Sequence, residues 1–213
     1  MVDENAALFL LGYRNTILLF ATAMAASLVL GTVAASMRVW GTAVVQALAA
    51  GYVEFFRNTP LLVQLFFYAV VLAPANLGVT GEPLLAAAIG LSVYTGAYVT
   101  EVVRSGILSV DPRQLETARS LGMGQLQALR HVVLPQAVRT VIPPLGNLSI
   151  ALVKNTAIAS AIAATELLKA ASVIESRTAT FTPFLAAFVA YWTLTIPLAA
   201  LVGRLERRLR FAR

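Results

Sequence analysis

Lys154, Asn155 and Thr156 stand together inside an apolar run from Leu145 to Leu168. A lysine in such a run is costly unless a carboxylate, carbonyls or water meet its head. Glu166 lies twelve residues further on, about 18 Å by helical rise, and cannot be its direct partner on one helix. Glu54 and Glu101 belong to other apolar segments and reach the lysine only if the helices pack that way. Two readings stand: a structural lysine paired across helices, or a polar triplet lining a cavity near the bilayer midplane.

Other polar residues occupy comparable positions. Tyr94, Thr95 and Tyr98 offer hydroxyls over one helical turn, about ten residues into their segment and too deep for an interfacial belt. Glu54 and Arg57, like Glu101 and Arg104, are three residues apart, a spacing that sets opposite charges side by side on a helix. They either neutralise each other near an interface or serve as gate or bundle contacts with a second subunit. In "RNTP", Thr59 before Pro60 reads as an N-cap and a first-turn proline, so the helix either breaks and restarts there or only kinks. A restart would aim a positive dipole end into the membrane. Asn58, Thr59 and Gln64 join the candidates for a polar pathway.

These residues need elements to hold them, and composition says which kind. The 213 residues are 59% hydrophobic and 12% charged, with mean hydropathy +0.79. That is more apolar and less charged than an average soluble domain. The net charge of +6 is distributed beside apolar spans, which argues against nucleic acid as a partner. There are no cysteines, so disulfides, thiolate catalysis and cysteine-held metal are excluded. One histidine, His131, and the lack of His-Glu-x-x-His or Gly-x-Ser-x-Gly leave an intramembrane enzyme without its nucleophile, base or metal ligands. No metal site and no catalytic residue is expected.

Five segments have bilayer length: about 15–36, 48–73, 84–107, 141–168 and 183–203. The fold expected is an all-α integral membrane protein, one domain over 1–213. The acidic start, Asp3 and Glu4, is unlike a cleaved signal, so the first span reads as retained. Arg38, Arg104, Arg113, Arg119, Arg130, Arg139 and the tail arginines 204–213 fall on one side, and Arg14, Lys169 and Arg177 on the other. The basic side should be cytoplasmic, which puts the N-terminus outside and the C-terminus inside. The tail "RLERRLRFAR" reads as an anchor on anionic lipid or as a contact for a partner.

The loop at about 108–135 carries the clearest local pattern. Asp111 followed by Pro112 starts a helix, Gly122 ends it, and a second short helix, "QLQALRHVVL", follows. Pro135, Pro143 and Pro144 mark the entry to the fourth span. Glu116-Thr117-Ala118, three residues, Gly122, nine residues, Val132, one residue, Leu134-Pro135 resembles the "EAA" loop of ABC importer permeases. Thr117 and Val132 stand where that family has alanine and isoleucine. "FFRNTPLLVQLFFY", "YTGAYVTEVVRSGI", "LPQAVRTVIPPLGN" and "ALVKNTAIAS" extend the resemblance over residues 55–160 to permeases for polar amino acids. "VKNTAIASAIAATELL" is most similar to actinobacterial-type glutamate permeases.

The resemblance implies a five-span type I importer permease whose loop docks on an ATPase subunit, with Glu116, Ala118, Arg119, Gly122, Leu134 and Pro135 in that contact. It implies a second, homologous permease subunit in a heterodimer or a homodimer, two ATPases that hold ATP and magnesium, and an extracytoplasmic amino-acid-binding protein. The setting implied is the bacterial cytoplasmic membrane. The chain has no Gly-x-x-x-x-Gly-Lys-Ser/Thr, so it should bind no ATP itself and needs no cofactor. For the midspan triplet the resemblance implies an amino-acid path. Related permeases often have aspartate where Asn155 stands, and a carboxylate there would repel glutamate. The alternatives are another polar amino acid (glutamine, aspartate or a basic one) or a non-catalytic membrane scaffold.

Overall fold

The computed structural model describes residues 2–209, with side chains from Glu4 to Arg208. Arg210, Phe211, Ala212 and Arg213 of the basic tail lie outside the described residues. No strand occurs among the described residues. Those residues form nine α-helices in order, with a π turn and a 3-10 segment among them: α1 Val2–Trp40, α2 Ala43–Asn58, α3 Leu61–Val71, α4 Pro83–Leu108, α5 Pro112–Ser120, α6 Gln125–Ala128, α7 Leu134–Asn155, α8 Leu167–Thr178 and α9 Thr182–Leu209. Four stretches are long and apolar enough to cross a membrane: Glu4–Trp40, Pro83–Leu108, Gln125–Ile162 and Thr182–Arg208.

The helix pair α1–α4 is the spine. Small residues bring the two backbones together: a Cβ on Gly31 would strike Val99, and one on Gly96 would meet Leu30 Cβ at 3.4 Å. Ser27, Gly31 and Arg38 of α1 meet Gly96, Val99 and Glu101 of α4 in that order, so the two helices run in the same direction. Gly106 does the same for α7, where a side chain would collide with Val141. Gly90 likewise sits where a side chain would collide with Leu65 and Tyr68 of α3. A buried cluster of Leu19, Ala23, Leu65, Ala87, Leu91, Leu152 and Ile162 joins α1, α3, α4, α7 and the 3-10 segment.

Several boundaries differ from expectation. The second span, 48–73, is two helices. Thr59 is extended (φ −110°, ψ 141°) because it precedes proline, and Pro60 holds the cap position while α3 begins at Leu61. The Thr59 hydroxyl does not cap α3. It donates back to the Phe55 carbonyl at 2.8 Å and closes the end of α2.

The fourth span, 141–168, starts earlier and ends sooner. The α-helix stops at Asn155, continues as a 3-10 segment from Thr156 to Ile162, and turns at Ala163 with φ 62°. Pro135 does not open a new helix. A π turn, Leu129–Val133, makes α6 and α7 continuous, with Leu134 N–H donating to the Leu129 carbonyl. The wider turn suits a proline whose ring would crowd a preceding α-turn and which has no N–H to give.

The expected separator after the fourth span is largely helix α8. Its charges point away from an apolar face of Leu167, Ala170, Ala171 and Ile174, all buried. The first span is also longer than expected, running until Gly41, whose N–H still bonds to the Met37 carbonyl.

Candidate functional site

The loop hairpin is built by local chemistry. Asp111 accepts the Arg113 N–H at 2.9 Å, and Pro112 occupies the first turn of α5. At the other end Gly122 has φ 83°. Its N–H donates to the Arg119 carbonyl at 2.9 Å, and Met123 N–H donates to Ala118 at 3.1 Å, the paired bonds of a Schellman motif. Gln127 Oε1 then accepts the Gly124 N–H at 3.0 Å and starts α6. Gln114 on α5 and Gln136 on α7 share a 2.5 Å bond that ties the hairpin to α7.

Ala118 is buried under the hairpin, while Glu116, Arg119 and Gly122 face outward. Leu134 and Pro135 are exposed at the base. A groove lined by Trp40, Leu108, Leu115, Arg119, Leu126 and Leu129 runs between the hairpin and the ends of α1 and α4. Leu121 and Leu126 are 76% exposed, an apolar tip on an otherwise charged element. Such a tip suits a protein surface better than water.

At the adjacent ends of α1, α2 and α4 lies a charge cluster. Glu101 takes Arg104 at 2.9 Å, as its spacing predicts, and also pairs with Arg38 of α1. The partner pairing expected between Glu54 and Arg57 is absent. Glu54 accepts from Asn58 at 3.0 Å, and the Arg57 guanidinium lies 5.2 Å from the Tyr98 ring centroid. A cation–π contact with an aromatic on the neighbouring helix competes well with an exposed ion pair one turn away. Tyr98 continues the chain of polar contacts to the Tyr94 hydroxyl at 3.1 Å.

Gln64 is buried and closes the break between α2 and α3. Its amide donates to the Phe56 carbonyl at 2.9 Å and to the Thr59 hydroxyl at 2.7 Å. Its Oε1 has no partner. Thr95 is buried within the chain.

Lys154 is exposed and Asn155 half-buried, both at the point where α7 gives way to the 3-10 segment. Neither side chain has a hydrogen bond or an ion pair among the described residues. Thr156 turns the other way: it is fully buried and its hydroxyl donates to the Val153 carbonyl at 2.7 Å. The triplet thus splits into two outward residues and one inward residue. Thr140, Asn147 and Lys154 recur at seven-residue spacing and are all exposed, a polar stripe on an otherwise apolar helix. An exposed lysine on a membrane-spanning helix faces a polar cavity or another subunit rather than lipid tails.

Two groups were missed from sequence: Arg38, which completes the Glu101 cluster, and Tyr191, which meets Glu166 at 2.7 Å. The small-residue series Ser27, Gly31, Ala35 on α1 was the available signal that α1 packs tightly on another helix.

Comparison with known proteins covers nearly the whole chain. Residues 27–211 match the family described as binding-protein-dependent transport system inner membrane component. A probable glutamine ABC transporter permease of Bacillus subtilis is 40% identical over 207 residues, 97% of this chain and 95% of the relative. The glutamate transport system permease of Corynebacterium efficiens is 37% identical over 196 residues, 86% of each chain. Among solved structures, a crystal structure of an amino acid ABC transporter with histidines shares 34% identity with a TM-score of 0.86, covering 97% of this chain and 96% of that one. An inward-facing methionine ABC transporter aligns with a TM-score of 0.80 at 20% identity, a likeness of fold alone.

Proposed function

Because the chain belongs to the family of binding-protein-dependent transport system inner membrane components, we propose that it is the permease subunit of an ATP-driven importer for a polar amino acid, with glutamate as the substrate. It is a multi-pass membrane protein of type I importer fold. The path is formed with a second permease subunit, and an extracytoplasmic binding protein delivers the substrate. Two separate ATPase subunits hold ATP and magnesium and dock on the hairpin of α5 and α6. No covalent step occurs on this chain.

The observation that carries the substrate reading is the unpartnered pair Lys154–Asn155. Lys154 has no carboxylate partner among the described residues, so an anionic ligand can supply one. Asn155 adds hydrogen bonds without adding negative charge. Glutamate fits both. Glutamine is the second reading, favoured by the 40% identity to a probable glutamine permease of Bacillus subtilis.

The test is uptake of labelled glutamate into vesicles carrying the complete transporter, with unlabelled competitors. Glutamate at equal concentration should compete better than glutamine, and the reverse order would replace the acidic substrate with its amide. Asn155→Asp should then weaken glutamate uptake about tenfold or more relative to a cationic amino acid, since like charges held close disfavour each other by more than 1 kcal/mol at a site of reduced dielectric. An unchanged preference would remove Asn155 from the path.

The orientation proposed is N-terminus outside and C-terminus cytoplasmic, supported by the arginines of the hairpin. Ser120→Cys, exposed on α5 in a chain without cysteine, is expected to resist an impermeant thiol reagent in intact cells and to react in inverted vesicles. Labelling from outside would invert the topology.

A further inference from the structure

Glu166 is the one carboxylate with no exposed surface among the described residues, and neither the hairpin nor the polar stripe uses it. It stands at the corner where the chain leaves the 3-10 segment for α8. Its two oxygens accept the Leu168 N–H at 2.8 Å and the Lys169 N–H at 2.7 Å, which caps α8. Its third donor is distant in sequence: the Tyr191 hydroxyl of α9, at 2.7 Å. The corner is clamped from the opposite side by α1. Asn15 donates to the Thr165 carbonyl at 2.7 Å, Thr16 accepts the Leu167 N–H at 3.1 Å, and Gly12 leaves no room for a side chain against Glu166.

The Tyr191 bond ties the corner after the 3-10 segment to α9. The first residue of the segment, Thr156, is held separately, fully buried with its hydroxyl on the Val153 carbonyl. Thr156 follows Asn155 directly, and its burial is what turns Lys154 and Asn155 outward. A 3-10 segment of seven residues is longer than such segments usually run, so it needs restraint at both ends.

We propose that Tyr191 and Glu166 are a positioning pair that pins the corner ending the 3-10 segment and through it holds the direction in which Lys154 and Asn155 point. Their consequence for transport rests on the reading of those two residues as substrate-facing. The pair touches no substrate itself. It acts through the corner at Ala163–Thr165.

The chain's lack of cysteine makes the test direct. A spin label on Asn155→Cys reports the direction and mobility of the proposed site, and one on Ser105→Cys, exposed on α4, reports the rest of the bundle. Both are measured in the full chain in membranes, with and without Tyr191→Phe, and again with Glu166→Gln in case either variant folds poorly. Either variant should loosen the label at 155 and leave the label at 105 unchanged. In the unlabelled transporter, Tyr191→Phe should raise the KM of uptake about fivefold or more while Vmax stays within about twofold.

A label at 155 that does not respond to either variant overturns the proposal. So does equal loosening at 105 and 155, which would be general destabilisation. A loosened label with native uptake kinetics would leave the positioning pair standing and remove Lys154 and Asn155 from the substrate path.

Discussion

Glu116→Arg should abolish ATP-driven uptake, lowering it at least about tenfold, while leaving the protein folded and inserted. The Glu116 side chain is exposed on α5 and makes no hydrogen bond or ion pair among the described residues. Surface substitutions of that kind change stability by about 0.5 kcal/mol or less. Its α-helix is secured by other groups: the Asp111 cap, the Gly122 turn and the Gln114–Gln136 bond. Nothing inside the chain therefore explains a large loss. A charge reversed at a docking surface does, because like charges brought together at an interface cost several kcal/mol. The check is uptake in vesicles alongside ATPase activity. ATP hydrolysis should continue without stimulation by the loaded binding protein. Uptake at the native rate would take Glu116 out of the contact and leave only Arg119 and the apolar tip at Leu121 and Leu126 to make it.

Glu101→Gln should cause a clear loss of stability. Glu101 is shared between Arg38 on α1 and Arg104 on α4, and the three side chains keep only 19%, 22% and 30% of their exposure, for Arg38, Glu101 and Arg104 in turn. Glutamine keeps the shape but removes the carboxylate that both guanidinium groups pair with. Breaking a fully buried pair costs about 3–5 kcal/mol, and the residual exposure here reduces that to about 2 kcal/mol. For a chain of this size that corresponds to a melting temperature lower by about 4–8 °C. Thermal unfolding in detergent measures it. Adding Arg104→Gln to the first substitution should recover part of the loss, since it removes one of the stranded charges. An unchanged melting temperature would mean that water already screens the cluster.

Features set by neighbours in sequence were legible. Asp111-Pro112 and Gly122 bound α5 because caps and left-handed turns depend on one or two residues. Pro60 likewise signalled the break between α2 and α3, though not that Thr59 would serve the helix behind it. Glu101–Arg104 followed from spacing alone. What was not legible depends on helices far apart in the chain. Arg38 reaches Glu101 only because α1 and α4 run side by side, and Arg57 leaves Glu54 for a ring on α4. The change from α-helix to 3-10 after Asn155 has no glycine or proline to announce it. The corner that ends the segment is held by Tyr191 and by α1, which meet it only in the folded bundle. Helix α8 was hidden for a different reason: Lys169, Glu175 and Arg177 interrupt the hydropathy of an apolar face, Leu167, Ala170, Ala171 and Ile174, that has helical period.

The π turn has a mechanical consequence. Because it carries the backbone without a break from α6 into α7, the hairpin and Lys154 belong to one rod. From Leu134 to Lys154 that rod is about 30 Å long, so a tilt of about 5° at the hairpin swings the lysine sideways by about 2–3 Å. The lever needs no residue along it to change its hydrogen bonds. Pro143 and Pro144, side by side in mid-helix and both without an amide hydrogen to give, are where it would flex first under load.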